Sequence, residues 1–384
     1  MPTTALKNHL YRLALPFLSP CLPRYPELSI LGDGPVRPGS YVRFLRKHHV
    51  MGSAAIFSSG GKRTAVFCPS PISGHVSDEN TLFRIASITK TATALTTLAL
   101  CEAGLLALDR PVAEYMPDED RIEEIRGVTL RMLLSHTSGI SDMPDYENYL
   151  NRGVPWTKAL RGRRCAEPGT AFRYSNLGFG LIGCIWEYVT GLSLREVFRK
   201  DLFDPLGLDA YIDATEADES RIMPVTRIMP YHAGSDLTVT KLGRIPLDMP
   251  DPLHHYGHTA GSLYITVSSL ETLIRCVMDG GIPILRSPDR EMTKQHAEYG
   301  KISPTLSYGL GILIIRDSML SSSRILGHQG FAYGCADGAF WEESTGNLMI
   351  FLNGGCSEAR KGRLGLANYD LLRYALKKEF PRWN

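Results

Sequence analysis

The sequence predicts an α/β fold, with an antiparallel sheet flanked by helices and joined to a largely helical domain. Three observations carry this expectation. Residues 50–70 and 324–355 both have strand character although they lie near opposite ends of a 384-residue chain. The closing stretch GLANYDLLRYALKKEF is amphipathic at helical spacing and ends in lysines, which suit the negative end of a helix dipole. The residues between, about 110–290, are richer in helix signals. Segments so distant in sequence are expected to form one sheet covered by helices.

Taken in order, residues 1–45 read as an N-terminal extension packing on the body. The start, MPTTALKNHLYRLALPFLSPCLPRYP, has a short apolar patch interrupted by Pro16, Pro20 and Pro23, with no clear cleavage site, so no signal peptide is read. Residues 46–110 with 290–384 form the expected sheet domain. Within it, Ser59-Gly60-Gly61-Lys62 between MGSAAIF and TAVF reads as a hairpin turn. The run FRIASITKTATALTTLALCEAG reads as an apolar helix stopped by Gly104. AYGCADGAFWEESTGNLMIFLNGG reads as two strands joined by a turn at Glu343–Gly346. Residues 111–289 form the mainly helical domain, marked by a capping box at Ser193–Glu196 and a stop at Pro205–Gly207. The site is expected in the crevice between the two. Residues 211–262 are rich in proline and methionine without a steady period, and so long an excursion reads as a substrate-facing loop. Its methionines either line an apolar pocket or pack the loop onto the body.

Ser87-Ile88-Thr89-Lys90 opens the apolar helix and places a hydroxyl and an amine one turn apart on one face. Serine needs a base to become nucleophilic, and a lysine serves if its amine is neutral. A helix start and burial both disfavour the ammonium form. A second match to this spacing, Ser59 and Lys62, falls in the glycine turn, which would not hold the pair in register. Downstream, Tyr174-Ser175-Asn176 precedes another apolar helical stretch. Beside a cationic lysine Tyr174 would ionise more easily, take the proton of Ser87 and pass it to a leaving group. Asn176 would hold Lys90 and a substrate carbonyl. The plainer reading of Tyr174 is a half-buried aromatic in a capping loop. A similar triplet, Tyr146-Glu147-Asn148, lacks the apolar helix. Near the C-terminus lies Gly327-His328-Gln329-Gly330-Phe331. Gly330 would let a substrate approach the backbone, and the N–H groups of Phe331 and Ser87 would bind a developing oxyanion. The plainer reading is a glycine-rich strand end with a surface histidine.

Other chemistries find less support. No Gly-x-Ser-x-Gly occurs, so the nucleophile elbow of another large hydrolase class is missing. His254, His255 and His258 are the only metal candidates, but Pro252 and Gly257 break the helix that would align them, so no metal and no cofactor are expected. His136, within SHTSG, reads as structural. A net charge of +2 gives no reason to expect nucleic acid or membrane partners. The basic run at Arg161–Arg164 reads as a solvated loop. Eight scattered cysteines without paired spacing suggest a reducing compartment, hence a cytoplasmic protein, and no apolar run is long enough to span a bilayer.

The ordered motifs Ser87–Lys90, Tyr174–Asn176 and His328–Gly330, with TLFRIASITK, LLSHTSGI, PGTAFRYSN, DPLGLDA and SYGLGI around them, resemble the serine β-lactamase and penicillin-binding-protein superfamily. The likeness is to its class C β-lactamase-like branch of esterases, D-amino-acid peptidases and acyltransferases, and covers about residues 50–375. It implies a β-lactamase-like fold and an acyl-Ser87 intermediate, with Ser87, Lys90 and Tyr174 catalytic and Asn176, His328, Gly330 and Phe331 orienting substrate. Lactam-hydrolysing members carry Lys-Thr-Gly in the third motif. Here His328 gives up the fixed charge and Gln329 replaces the small hydroxyl residue. The resemblance therefore implies hydrolysis of a small-molecule ester or amide. Two alternatives are an acyltransferase serving secondary metabolism and a non-catalytic ligand-binding member.

Overall fold

The structure, a computed structural model, describes residues 9–11, 13–15, 17, 25–34, 36–142, 146–229, 231–233, 245–287, 289–300 and 303–377. Residues 1–8, 12, 16 and 18–24 at the start, and residues 230 and 234–244 of the long excursion, lie outside them.

A nine-stranded antiparallel sheet organises the chain. Its strands are β1 (Ser29–Gly32), β2 (Ser53–Ser59), β3 (Lys62–Cys68), β4 (Ala297–Glu298), β5 (Leu306–Tyr308), β6 (Leu313–Ile315), β7 (Ile325–Ala332), β8 (Cys335–Glu342) and β9 (Leu348–Asn353), in the spatial order β1-β3-β2-β9-β8-β7-β6-β5-β4. The two ends of the sequence thus meet where β2 pairs with β9, from Ser53↔Asn353 to Ser58↔Leu348. Gly60 and Gly61, both at positive φ, make the expected tight turn between β2 and β3.

Alternation along the strands supplies both faces with apolar side chains. Ala54, Ile56, Ala65 and Ile350 join one core and Ala55, Phe57, Val66 and Phe351 the other. Helices α1 (Pro38–Lys47) and α5 (Leu366–Lys377) contribute Tyr41, Phe44, Leu371 and Leu372 to the second core. Helices α2 (Thr89–Glu102), α3 (Asn176–Thr190) and α4 (Val267–Met278) belong to the first. Helix α4 lies against β2 and β9, so the sheet layer draws a helix from inside the 111–289 segment. The N-terminal extension also contributes directly, since β1 is the edge strand beside β3 and Tyr41 and Phe44 of α1 are buried.

Most of the crossing between layers occurs around α2. Its threonines, which are weak helix formers, are buried, and two of them bond outward: Thr91 Oγ1 donates to Gly311 O (3.0 Å) and Thr93 Oγ1 to Thr259 O (2.7 Å). Ser193 and Glu196 form the reciprocal capping box expected from their spacing. In the long excursion, Met223 is buried against Gly52 and Gly354 and so packs the loop onto the body. Residues 246–258 are tied to α3 by the buried Glu187 carboxylate, which accepts from Leu194 N, Asp251 N and His255 Nδ1. His255 Nε2 faces Pro246 O at 2.9 Å, so that ring is occupied in fastening the loop.

Candidate active site

Ser87 lies in a single 3-10 turn, Ala86–Ile88, that runs into α2. Ala86 has φ +45°, a region disfavoured for residues with a Cβ, so the turn beside the serine is strained. The strain is held by packing: Ile85 N donates to Leu263 O (2.9 Å), and strand β7 presses Gly330 against this turn. A Cβ at Gly330 would stand 2.3 Å from Ile85 O. The expected role of Gly330 is thereby corrected. Its missing side chain admits the serine's own backbone segment, not a substrate.

Lys90 is fully buried, and its Nζ lies 3.0 Å from Ser87 Oγ, 2.8 Å from Asn176 Oδ1 and 2.6 Å from Ala260 O. Burial pulls its pKa down to about 7; the Asp142 carboxylate opposes this and the Arg84 guanidinium adds to it. A neutral amine has two N–H groups and one lone pair. The two carbonyl oxygens can only accept and take both N–H groups, which leaves the lone pair for the Ser87 hydroxyl.

Tyr174 Oη donates to Ser87 Oγ at 2.9 Å from the opposite side. Burial pushes its pKa upward, only partly offset by the bond to Ser87. This corrects the expectation of an easily ionised phenol. That expectation assumed a cationic lysine, whereas the burial that neutralises Lys90 also disfavours the phenolate. His136 backs the tyrosine with its ring 4.2 Å away, and its Nδ1 accepts from Ser175 N (3.1 Å). Its φ of +58° makes the tight loop inferred from SHTSG.

Asn176 is the first residue of α3, and Asp142 fixes its orientation. The Asp142 carboxylate accepts from Ser175 Oγ, Asn176 N, Asn176 Nδ2 and Leu177 N, all at 2.8–2.9 Å. With Nδ2 committed to Asp142, Oδ1 is left for Lys90. Sequence reasoning missed Asp142. Its one signal is an acid in a polar loop, 34 residues from the helix terminus it caps.

His328, on β7, is buried, not at the surface. Its Nδ1–H donates to Gln329 O (2.7 Å) and its Nε2 accepts from Tyr308 Oη (2.7 Å). Burial, with a contribution from Lys90, lowers its pKa to about 3. The ring is neutral and both nitrogens are used inside the protein, so it borders the cleft without a free donor for a ligand. Phe331 follows on the same strand. Strand β6 pairs with β7 only over Ile325–Gly327, leaving the edge from His328 onward open toward Ser87. The two-residue turn Tyr333-Gly334, at φ +54° and +101°, is of the I′ kind and makes Ala332 and Cys335 the closing hydrogen-bonded pair. By alternation in the antiparallel ladder, the Phe331 N–H points to the open edge.

Two recesses meet at Ser87. One, of about 330 Å³, is bordered by Arg84, Leu150, Ala260 and Tyr333; the other, of about 450 Å³, by Phe172, Arg173, Tyr174, Tyr299, His328 and Arg363. Asn176, Phe331 and Arg360 border both. Among the described residues no three His, Cys, Asp or Glu side chains gather as metal ligands, and no single helix is long and apolar enough to cross a membrane.

A model of the beta-lactamase family matches residues 41–345. Penicillin-binding protein 4 of Amycolatopsis lactamdurans is 31% identical over 247 residues, covering 62% of this chain and 61% of that protein. Esterase EstB of Burkholderia gladioli is 29% identical over 234 residues, covering 54% and 57%. The match thus spans about three fifths of the length of these curated relatives. Among solved structures, EstCE1, described as a hydrolase with promiscuous acyltransferase activity, superposes with a TM-score of 0.69 at 21% identity, covering 88% of this chain and 96% of that one. The D-amino acid amidase of Ochrobactrum anthropi, complexed with L-phenylalanine amide, gives 0.68 at 22% identity, covering 88% and 97%. These likenesses establish the β-lactamase and penicillin-binding-protein fold.

Proposed function

The chain belongs to the beta-lactamase family, and from that premise we propose that it hydrolyses a small-molecule ester or amide through an acyl-Ser87 intermediate. One observation carries the reading: Ser87 Oγ stands 3.0 Å from a buried lysine amine and 2.9 Å from a tyrosine hydroxyl. Lys90 takes the proton of Ser87 as Oγ attacks the carbonyl carbon. The N–H groups of Ser87 and Phe331 receive the oxyanion, and Asn176 holds Lys90 in place. Collapse of the tetrahedral intermediate expels the leaving group, protonated by Tyr174. The phenolate exists only while Lys90 is charged, 5.0 Å from the tyrosine ring centroid. A water molecule then gives one proton to Tyr174 and attacks the acyl carbon, and Lys90 returns its proton to Ser87 Oγ. Every proton borrowed in acylation is restored in deacylation.

Intact-protein mass spectrometry after incubation with p-nitrophenyl esters of several chain lengths tests this. The expected result is an acyl adduct or nitrophenol release that is lost in Ser87→Ala. Wild-type protein that neither turns over nor acylates, yet binds ligand in the cleft, would convert the reading to a binding protein. The second reading, acyl transfer to an alcohol or amine, shares every step up to the acyl-enzyme. The description of EstCE1 favours testing it by adding alcohols to the same assay.

A further inference from the structure

The larger recess has a charge that the reaction chemistry does not use. Arg173, Arg360 and Arg363 border it and no carboxylate does. Among the described residues, none of these three guanidinium groups has an ion-pair or hydrogen-bond partner. Glu358, two residues before Arg360, faces the smaller recess and stands 3.5 Å from Arg227 Nε, and it acts on Arg360 through its charge without an ion-pair contact. Arg360 is partly buried, its Cζ 3.9 Å from the centroid of the Phe331 ring it lies over. The short hairpin of Arg360–Lys361 and Leu364–Gly365 is fastened to β7 by Gln329, whose Nε2 donates to Arg363 O (2.7 Å) and whose Oε1 accepts from Gly365 N (2.9 Å). The residue that replaces a small hydroxyl in the third motif therefore positions the arginine pair. Aromatic rings form much of the remaining wall: Phe172 and Tyr299 pack with ring centroids 4.3 Å apart, beside Tyr174 and Phe331.

We propose that this recess selects the leaving group of the substrate, that the leaving group is aromatic and carries an oxyanion, a carboxylate or a phosphate, and that Arg360 is the specificity-determining residue. The inference rests on the acyl-Ser87 reading. Tyr174 borders this recess and not the smaller one, so a leaving group that takes its proton from Tyr174 Oη lies here and the acyl chain lies in the smaller recess, between Leu150 and Tyr333. A fixed, unpaired guanidinium offers two parallel N–H groups to a carboxylate or phosphate, while the aromatic walls accept a ring. The charge that neutral His328 does not supply at the third motif comes instead from the 360–363 hairpin.

The test compares butyryl esters of 4-hydroxybenzamide, 4-hydroxybenzoate and 4-hydroxyphenyl phosphate, the first being the neutral control. Wild-type kcat/KM is expected to favour an anionic ester by about tenfold or more, equivalent to about 1.4 kcal/mol. In Arg360→Gln the anionic-to-neutral ratio is expected to fall to within about twofold of unity, and Arg360→Lys, which keeps charge without the planar fork, to lie between. Greater preference for the benzoate assigns the group as a carboxylate, and for the phenyl phosphate as a phosphate. A wild-type ratio near one, with Ser87-dependent turnover of the neutral ester, overturns the inference and leaves the acyl-enzyme reading standing. No turnover and no adduct with any ester overturns the acyl-enzyme reading itself.

Discussion

Replacing Lys90 with methionine removes a buried base while keeping an unbranched chain of similar length, and its effect on stability is set by proton linkage. The amine falls from an ordinary 10.5 to about 7 in the folded protein. At about 1.36 kcal/mol per pH unit this is a cost of about 5 kcal/mol. The sign follows from which state holds the proton. Below pH 7 both states carry it and the full cost is present. Between pH 7 and 10.5 the unfolded chain is protonated and the folded one is not, so wild-type stability rises by about 1.4 kcal/mol per pH unit. Lys90→Met lacks this term. It instead leaves Asn176 Oδ1 and Ala260 O without a donor, at about 1–3 kcal/mol each, a penalty that does not vary with pH. Near pH 7 the two effects largely offset and the proteins should be of similar stability. By pH 10 wild type should be ahead by several kcal/mol. Urea unfolding of both proteins at intervals from pH 6.5 to 10 reads the difference directly. Parallel curves would refute the neutral buried lysine, and with it the proton acceptor for Ser87.

The same amine should set the acid limb of activity: kcat/KM for a p-nitrophenyl ester is expected to rise with pH to a plateau, with a midpoint near 7, as Lys90 loses its proton, and a flat profile from pH 5 to 9 would contradict this. Tyr174→Phe removes the proton donor while keeping the ring against His136, so turnover should fall by about a hundredfold to ten-thousandfold with little change in melting temperature; an unchanged rate would leave the leaving group unassisted by Tyr174. Gly330→Ala puts a Cβ 2.3 Å from Ile85 O, which must displace the strained serine turn, and a misplacement of about 1 Å is enough for a loss of about a hundredfold in kcat. Retained activity there would show that the turn yields without moving Ser87. Asp142→Ala frees four donors at the start of α3, and the urea midpoint should drop by the equivalent of about 2–4 kcal/mol.

What was readable in the sequence was local. The Gly60-Gly61 hairpin, the Ser193–Glu196 box, the two strands either side of Glu343–Gly346 and the three-residue offset of Ser87 and Lys90 each depend on neighbours a few positions apart, and each is present in the structure. The meeting of Tyr174 with Ser87, and of Asn176 with Lys90, crosses 87 and 86 residues and was legible only through the ordered motifs. Three features escaped because they depend on how segments approach. Gly330 was read as an opening for substrate, but its open space is filled by Ile85 O. Asp142 looked like one polar residue among many until the helix it caps was brought to it. The ionisation of Tyr174 escapes too, because the sequence places a lysine near it without showing that burial leaves that lysine neutral.

Burial sets the resting protonation of the whole site. Lysine and tyrosine both lose their charged forms on burial, one by falling in pKa and the other by rising, so a dry pocket favours one neutral pair at rest. Moving a proton from Ser87 to Lys90 creates the cation that the phenolate needs, 5.0 Å from the tyrosine ring, and makes Tyr174 a better acid only after the attack has begun. Proton donation is therefore timed by the chemistry itself. A wetter pocket would spoil this timing, because solvent would stabilise the ammonium and keep Lys90 from acting as a base. Lys90→Arg, charged at every accessible pH, should accordingly lose both activity and the pH-dependent gain in stability, even though it preserves the positive side chain. If Lys90→Arg retained wild-type turnover, the position would be acting through charge, and the base for Ser87 would have to be sought elsewhere.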